Sequence, residues 1–349
     1  MTDQISSLTP ENSIALMPKL DGLGGPSSFQ RKLIQGLKDK GINTHFNPLD
    51  PDVRSVLVIG GTKNIHSIWQ ARRKKIRIVH RLNGMNWIHR KKNTGLKHYL
   101  RSEYGNIILS TIRNHLSDAI IYQSQFARSW WQTAYGKSKV ESTVIYNGID
   151  LNTYHPTGAH QLPSDHLRIL LVEGHLGEGN ESGLLNAIKM VELLNQRYPQ
   201  PVELMVAGKV PEEIKNHFAS QTNIWLTWAG IIPSEEIPTL DRSAHLLFSA
   251  DLNAACPNSV VEALACGLPV VAFATGALPE ILENDAGRTA PYGSNYWELE
   301  PPDISALADA ASEILNNLPY FKQKAREEAE KKFSLDLMVE KYLKILIPT

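Results

Sequence analysis

The chain has 349 residues, 42% hydrophobic and 21% charged, a composition that excludes a disordered, collagen-like or fibrous protein. Its length exceeds the usual single core and points to two domains of ordinary size. Lys and Arg number 36 and Asp and Glu 36, so the formal charge is zero, and the two cysteines, Cys256 and Cys266, can form neither a disulfide framework nor a zinc site.

The polar start, MTDQISSLTPENS, lacks the layout of a signal peptide, and no run of eighteen apolar residues suggests a membrane span, so a cytoplasmic protein is expected. In chain order the apolar runs at 13–17, 55–61, 76–80, 119–124 and 142–147 predict strands, with helices over 28–40 and 96–116 between them. Residues 148–165, rich in Gly, Pro, Asn and Asp, read as a linker. Alternation then restarts, with strands at 167–174, 202–208, 224–230, 244–250 and 268–274 and helices over 182–196, 234–240 and 258–266. Helices over 304–317, 320–332 and 335–347 close the chain, the last carrying Leu335, Met338, Val339, Tyr342, Leu343 and Leu346 on one face. Such alternation implies two α/β domains of Rossmann-like type, with parallel sheets and crossover helices, placed here at 1–160 and 161–332 with the terminal helix at 333–349. Ligands of such sheets bind outside the carboxyl ends of the strands, so two domains facing each other would enclose a cleft.

Charge is unevenly spread, because no Asp or Glu occurs between Asp52 and Glu103. That window holds Arg72, Arg73, Lys74, Lys75, Arg77, Arg81, Arg90, Lys91, Lys92, Lys97 and Arg101, with Trp69 and Trp87 among them. It suits an anionic membrane surface, an anionic acceptor or nucleic acid, or else it is an ordinary solvated face.

Two loops carry chemistry. Gly22, Gly24, Gly25 and Pro26 precede the first helix, where glycines let backbone amides approach an anion at a helix N-terminus. Ser27 fills a place where the dinucleotide fingerprint requires Gly, so the loop is either a phosphate site or a simple tight turn. The stretch CPNSVVEALACGLPVVAF, 256–273, starts a helix at Pro257 and Asn258, stops it at Gly267 and leads through a buried strand to a turn at Gly276. Glu262 stands one turn inside that otherwise apolar helix, where it either reaches a ribose diol with a charge-assisted hydrogen bond or is a surface Glu. The predicted strand ending at His80 should open on the cleft, so that His80 and Arg81 could hold an acceptor or donor phosphates, with Asn83 and Gly84 shaping the turn. Lys209 is a further cation near a strand end.

The VIYNGID segment before the linker, the GLGGP loop and PNSVVEALACGLPVVAFATGALPEIL together resemble the retaining, nucleotide-sugar-dependent glycosyltransferases of the GT-B fold, specifically glycosyltransferase family 4, in the same order over essentially the whole chain. The resemblance implies a donor site mainly in the C-terminal domain, an acceptor site mainly in the N-terminal one and a C-terminal helix packing back on the N-terminal domain. It implies that Glu262 binds the donor ribose, that amides around Asn258, Ser259 and Val260 and the turn at Thr275 and Gly276 meet the sugar or phosphates, and that Gly24 and Gly25 reach the diphosphate. Where the family has a Glu eight positions before the ribose Glu, this chain has Ala254, with Asp251 the nearest upstream acid. The family's Arg and Lys after the first strand of the donor domain are replaced by His175 and, near the Lys, Asn180.

The leading expectation is sugar transfer from a nucleotide-diphosphate sugar to a hydroxyl of a glycan, a lipid-linked or another acceptor, with retention at the anomeric carbon, by a hexosyltransferase-type enzyme. It needs no metal and no cofactor besides that substrate. Peripheral contact with an anionic membrane fits the basic window, and no nucleic-acid partner is expected. A non-catalytic nucleotide- or sugar-binding member of the same fold, or a nucleotide-sugar epimerase, would show the same outline.

Overall fold

The first apolar run is β1 (Ser13–Met17), buried along its whole length, as a parallel strand covered on both faces has to be. The computed structural model describes residues 13–22, 24–176 and 181–348. They divide into two compact units, Met1–Gly148 with Leu335–Thr349, and Ile149–Ser334.

In the first unit β1 is followed by α1 (Gly25–Asp39), β2 (Asn43–His45), β3 (Val53–Ile59), α2 (Ile65–Arg73), β4 (Arg77–Leu82), α3 (Leu96–Thr111), β5 (Ala119–Tyr122), α4 (Gln125–Tyr135) and β6 (Glu141–Val144). The sheet is six-stranded, in the order β2-β1-β3-β4-β5-β6, and all its pairings are parallel. Side chains alternate across it with the period of two that a strand imposes. Ile14, Leu16, Leu57 and Ile59 pack with Phe29, Leu33 and Leu37 of α1, whereas Ala15, Met17, Val56 and Val58 meet Ile68 and Ala71 of α2 and Ile108 near the end of α3.

The second unit contains β7 (Leu167–His175), α5 (Ser182–Arg197), β8 (Val202–Lys209), α6 (Glu212–Gln221), β9 (Trp225–Gly230), α7 (Ile237–Arg242), β10 (Leu246–Ser249), α8 (Asn258–Ala265), β11 (Val270–Phe273), α9 (Leu278–Ile281), β12 (Gly287–Ala290), α10 (Ile304–Asn316) and α11 (Leu318–Lys332). Its parallel sheet runs β12-β11-β10-β7-β8-β9. Ile169, Leu171, Leu204, Val206 and Phe248 form its core with Leu184, Ile188 and Val191 of α5 and Leu307 and Ala311 of α10.

The last helix, α12 (Leu335–Leu346), is part of the first unit. A Cβ built on Gly36 of α1 would lie 2.5 Å from Val339 Cγ2, so the two helices touch where only Gly fits without repacking. Phe29 and Tyr342 bring their ring centroids to 5.5 Å, and Arg77 Nε donates to the Ile345 carbonyl at 2.7 Å.

The unit boundaries fall at 148/149 and 334/335, not at the expected 160/161 and 332/333. The segment read as a linker is fastened to the second unit along its first half. Ile149 N donates to Phe333 O at 2.8 Å, Arg326 Nη1 to Tyr154 O at 2.8 Å and Arg242 Nη1 to His155 O at 3.1 Å. Low apolar content marks these residues as loop, yet their backbone carbonyls are satisfied by arginines remote in sequence, which local composition does not reveal.

Candidate active site

Strand order locates the binding edge of the second unit. The chain runs from β7 outward through β8 and β9, then returns to place β10 on the other side of β7, so the order reverses between β7 and β10. In an open parallel sheet, loops leaving the carboxyl ends of the two strands at such a reversal diverge and leave a crevice for ligand.

α8 follows β10 on this edge. Pro257 caps it with extended backbone and no side-chain bond, its apolar residues Val260, Val261, Ala263 and Leu264 are buried, and Gly267 just beyond it adopts φ 69°. The amides of its first turn have no acceptor within the helix, so the Ser259 and Val260 N–H groups stand in a position suited to an anion. Glu262, half-buried, lies within electrostatic reach of Tyr154 and the buried Asp241. Burial first, and then the Glu262 charge, raise the Tyr154 hydroxyl and hold the Asp241 carboxyl well above the usual carboxylate range.

The turn after β11 is clamped onto the loop after β10. Ala277 N donates to Ala254 O at 2.9 Å. Gly276 has φ 61°, and a Cβ there would come within 2.6 Å of Ala254 N and 2.7 Å of Ala254 O, so this position accepts only glycine. Beside it Asn253 is buried in the left-handed region at φ 59°, and neither its side-chain atoms nor Thr275 Oγ1 has a hydrogen-bond partner among the described residues. A glycine is equally required at Gly208, with φ 138°, because a Cβ would meet Glu173 O at 1.7 Å.

Glu173 is a site residue that sequence patterning missed, although an acid inside the apolar run LRILLVEG is a visible signal. It sits on β7 and its carboxyl is pushed up to about 8, by desolvation first and then by the charge of Asp251 in the loop after β10. Two acids therefore oppose each other across the strand-order reversal, and near neutral pH the pair carries less than its formal charge.

The cations expected here lie on adjacent strand ends. His175 is the last residue of β7, and its backbone is in register with Lys209, the exposed last residue of β8. Leu176 N donates to Lys209 O at 2.9 Å. Asn180 lies outside the described residues. The single Asp-x-Asp sequence, Asp50-Pro51-Asp52, precedes β3 at the opposite, amino-terminal edge of the first sheet. There both carboxylates lie against His45, at 3.1 and 2.9 Å. Among the described residues no three His, Cys, Asp or Glu side chains converge to hold a metal ion.

In the first unit the order reverses between β1 and β3, and the Gly loop follows β1 at that point. Gly24 caps α1 without a side-chain bond, Pro26 occupies its first turn, and Gly24 and Gly25 are exposed. His80 and Arg81 require correction as residues that would meet a substrate, because both are fully enclosed. His80 Nε2 donates to Gly60 O at 2.8 Å, and burial lowers its pKa to about 4. Arg81 lies over the Phe29 ring at 3.6 Å and donates to Asn83 Oδ1 and Asn147 Oδ1, both at 2.7 Å. Gln123 Nε2 shares the Asn83 oxygen at 2.6 Å, and Trp131 Nε1 donates to the Asn83 carbonyl at 2.7 Å. Arg81 thus holds the loop after β4 in place. The strand continues through Leu82, so both residues lie inside the sheet, not in the loop beyond it.

A cavity of about 300 Å³ in the second unit lies elsewhere, at the carboxyl end of α8, lined by Pro156, Asp241, Cys266, Leu268, Lys322 and Arg326 among others.

Residues 168–317 match the family model described as glycosyl transferases group 1. Over 185 residues, 52% of this chain, the sequence is 24% identical to one of the polypeptides of the phosphatidylinositol N-acetylglucosaminyltransferase of Arabidopsis thaliana, and the match covers 38% of that polypeptide. Sucrose-phosphate synthase from Thermosynechococcus elongatus superposes with a TM-score of 0.74 at 17% identity, over 96% of this chain and 98% of that one. The structure of Anabaena HepE in complex with UDP and glucose gives 0.67 at 15% identity, over 96% and 99%. The chain has the GT-B fold, with two parallel-sheet α/β units of six strands each, and its second unit carries the match to the group 1 glycosyl transferases.

Proposed function

We propose that the protein transfers a sugar from a nucleotide-diphosphate sugar to a hydroxyl acceptor with retention at the anomeric carbon, and that no metal ion is required. The observation that carries this reading is α8, which places first-turn amides and a half-buried Glu262 at the reversal edge of a unit that matches the group 1 glycosyl transferases. Amides bind the diphosphate and the carboxylate accepts two ribose hydroxyls, a division of labour that suits a nucleoside diphosphate and little else. That Anabaena HepE was solved with UDP and glucose supports a donor of this class.

In the reaction the bond from the anomeric carbon to the diphosphate oxygen breaks and the acceptor oxygen bonds to the same face. The acceptor proton passes to the departing phosphate oxygen, which leaves as nucleoside diphosphate. The protein supplies orientation and electrostatic stabilisation of that leaving group, from the α8 amides, Lys209 and His175. Thr275 and Gly276 border the sugar. The hexosyl class of the sugar and a glycan or lipid-linked acceptor belong to the same reading. A lipid-linked acceptor would bring the enzyme to an anionic membrane surface on the cytoplasmic side.

A panel of nucleotide sugars, assayed for nucleoside diphosphate release with and without acceptor and in the presence of a chelator, tests the proposal. Acceptor-dependent release that survives the chelator, with an unchanged anomer in the product, is the expected result. Tight nucleotide binding with no release from any donor would identify a binding protein, and conversion of the donor without release would identify an epimerase.

A further inference from the structure

We infer that the cavity at the carboxyl end of α8 is a binding site for a small organic carboxylate, held by Lys322, Arg242 and Asp241. It lies apart from the reversal edge, because α8 begins there at Asn258 and ends here at Ala265, eight residues or about 12 Å further on. Its volume of about 300 Å³ falls at the lower end of the range for small-ligand pockets and is far above the share of one water molecule. Pro156, Cys266 and Leu268 give it apolar walls, and its polar groups are few, the usual make-up of such a pocket.

Those polar groups are left open. Asp241 is 1% exposed; the Cys266 thiol engages its carboxyl, yet Oδ2 has no hydrogen-bond partner among the described residues. Arg242 Nε is buried and equally without one, although Nη1 and Nη2 of the same guanidinium donate to the carbonyls of His155 and Ala159 at 3.1 and 3.3 Å. Lys322 of α11 is half-buried, which pushes its ammonium below the ordinary lysine value, and among the described residues no carboxylate offsets that cost. A desolvated cation and two open buried groups are costly to the fold unless something completes them.

The chemistry of the open groups fixes the class of ligand. Burial, and then the charge of Glu262, favour the neutral acid of Asp241. Its O–H, the Arg242 Nε–H and the Lys322 ammonium are all donors, so the occupant has to accept. Arg242, Lys322 and Arg326 around the cavity repel a cation. The end of α8 offers no competing acceptors, since Leu268 N, Gly267 N and Arg326 Nη1 take the carbonyls of Ala263, Leu264 and Ala265 at 2.8, 3.0 and 2.7 Å. Apolar walls beside these donors suit a carboxylate with a short hydrocarbon body better than a bare inorganic anion.

Calorimetric titration of the full chain with benzoate, hexanoate, benzamide and inorganic phosphate tests this. Both carboxylates are expected to bind with a Kd of about 0.1–1 mM, ordinary for ligands of about nine heavy atoms. Benzamide, the same shape without the charge, and phosphate, the charge without the body, should each bind at least about tenfold more weakly. Lys322→Gln should weaken benzoate binding by about tenfold or more. Lys331→Gln, an exposed lysine of the same helix away from the cavity, should leave it unchanged. Lys322 has no ion pair to lose among the described residues, so its variant should keep a native unfolding curve. Excess UDP should not displace benzoate. The inference is overturned if neither carboxylate binds by about 10 mM, or if benzamide or phosphate binds as tightly as benzoate. It is also overturned if Lys322→Gln binds like the parent, or if UDP competes, which would put benzoate at the reversal edge instead. The titration needs no nucleotide sugar, so its failure leaves the proposed transfer reaction standing, and a protein that binds benzoate here without transferring sugar would refute only the latter.

Discussion

Replacing Glu173 by Gln should stabilise the protein by an amount that is absent below about pH 4.5 and grows as pH rises to about 8. The carboxyl on β7 is raised from the usual 4.5 to about 8, first because burial penalises its charge and second because Asp251 faces it. Below about pH 4.5 the folded and unfolded chains both hold this proton, and Gln and neutral Glu are equivalent. Between 4.5 and 8 the unfolded chain releases the proton while the folded chain keeps it, so the folded state loses relative stability as pH rises. Above 8 the full cost of a desolvated charge is present. At about 1.4 kcal/mol per pH unit the limit is about 5 kcal/mol, and because Glu173 is only half-buried, solvent screening reduces the expected gain to about 2 kcal/mol at pH 9. For a domain of this size that corresponds to a rise in Tm of about 4–8 °C. Urea and thermal unfolding of the parent and Glu173→Gln at pH 4.5, 7 and 9 measure it. Asp251→Asn should give a gain of the same sign, since it removes both a carboxyl that burial raises and the charge that faces Glu173. Nucleoside diphosphate affinity of the parent should also fall above pH 8, as the ionised pair repels the phosphates, and stay flat in Glu173→Gln. A stability difference that is constant across pH would refute the assignment of a desolvated, protonated Glu173.

Glu262→Ala is expected to weaken nucleotide binding by about 1.5–3 kcal/mol, roughly tenfold or more in Kd by calorimetry, and equal affinities would dismiss the ribose role. Gly276→Ala should cost at least about 2 kcal/mol in urea unfolding, because the new Cβ meets the Ala254 backbone in a left-handed conformation; a neutral result would mean that the 254–277 contact is not rigid. His80, buried with its pKa lowered to about 4, must remain neutral, so the first unit should lose stability as pH falls from about 6.5 to 4. His80→Gln should remove that part of the acid sensitivity even if it lowers stability throughout, and an unaltered pH profile would exclude His80 as its source.

The sequence by itself determined what is local. The runs SIALM, LRILLVEG and LPVVAFA are long enough and apolar enough to be buried parallel strands, and Pro257, Glu262 and Gly267 bound and mark α8 by rules that operate within a dozen residues. Together they identify a two-unit α/β chain and one edge of its site. The three-residue β2 and the four-residue β12 carry too few apolar positions for a periodic signal, and the short helices α2, α4 and α6 are not among those the sequence predicts. Tertiary structure alone decided what depends on residues far apart in the chain. It enclosed His80 and Arg81, although a place near a strand end suggests a loop, because β4 runs on to Leu82 between two covering layers. It raised Glu173 by setting β10 beside β7, a pairing that no local pattern encodes. It gave the amphipathic face of α12 to Gly36 and Phe29, some three hundred residues earlier in the chain. Helical period shows that a face is apolar, but which surface meets it is settled by strand order and by the volume left between layers, and these are properties of the whole chain.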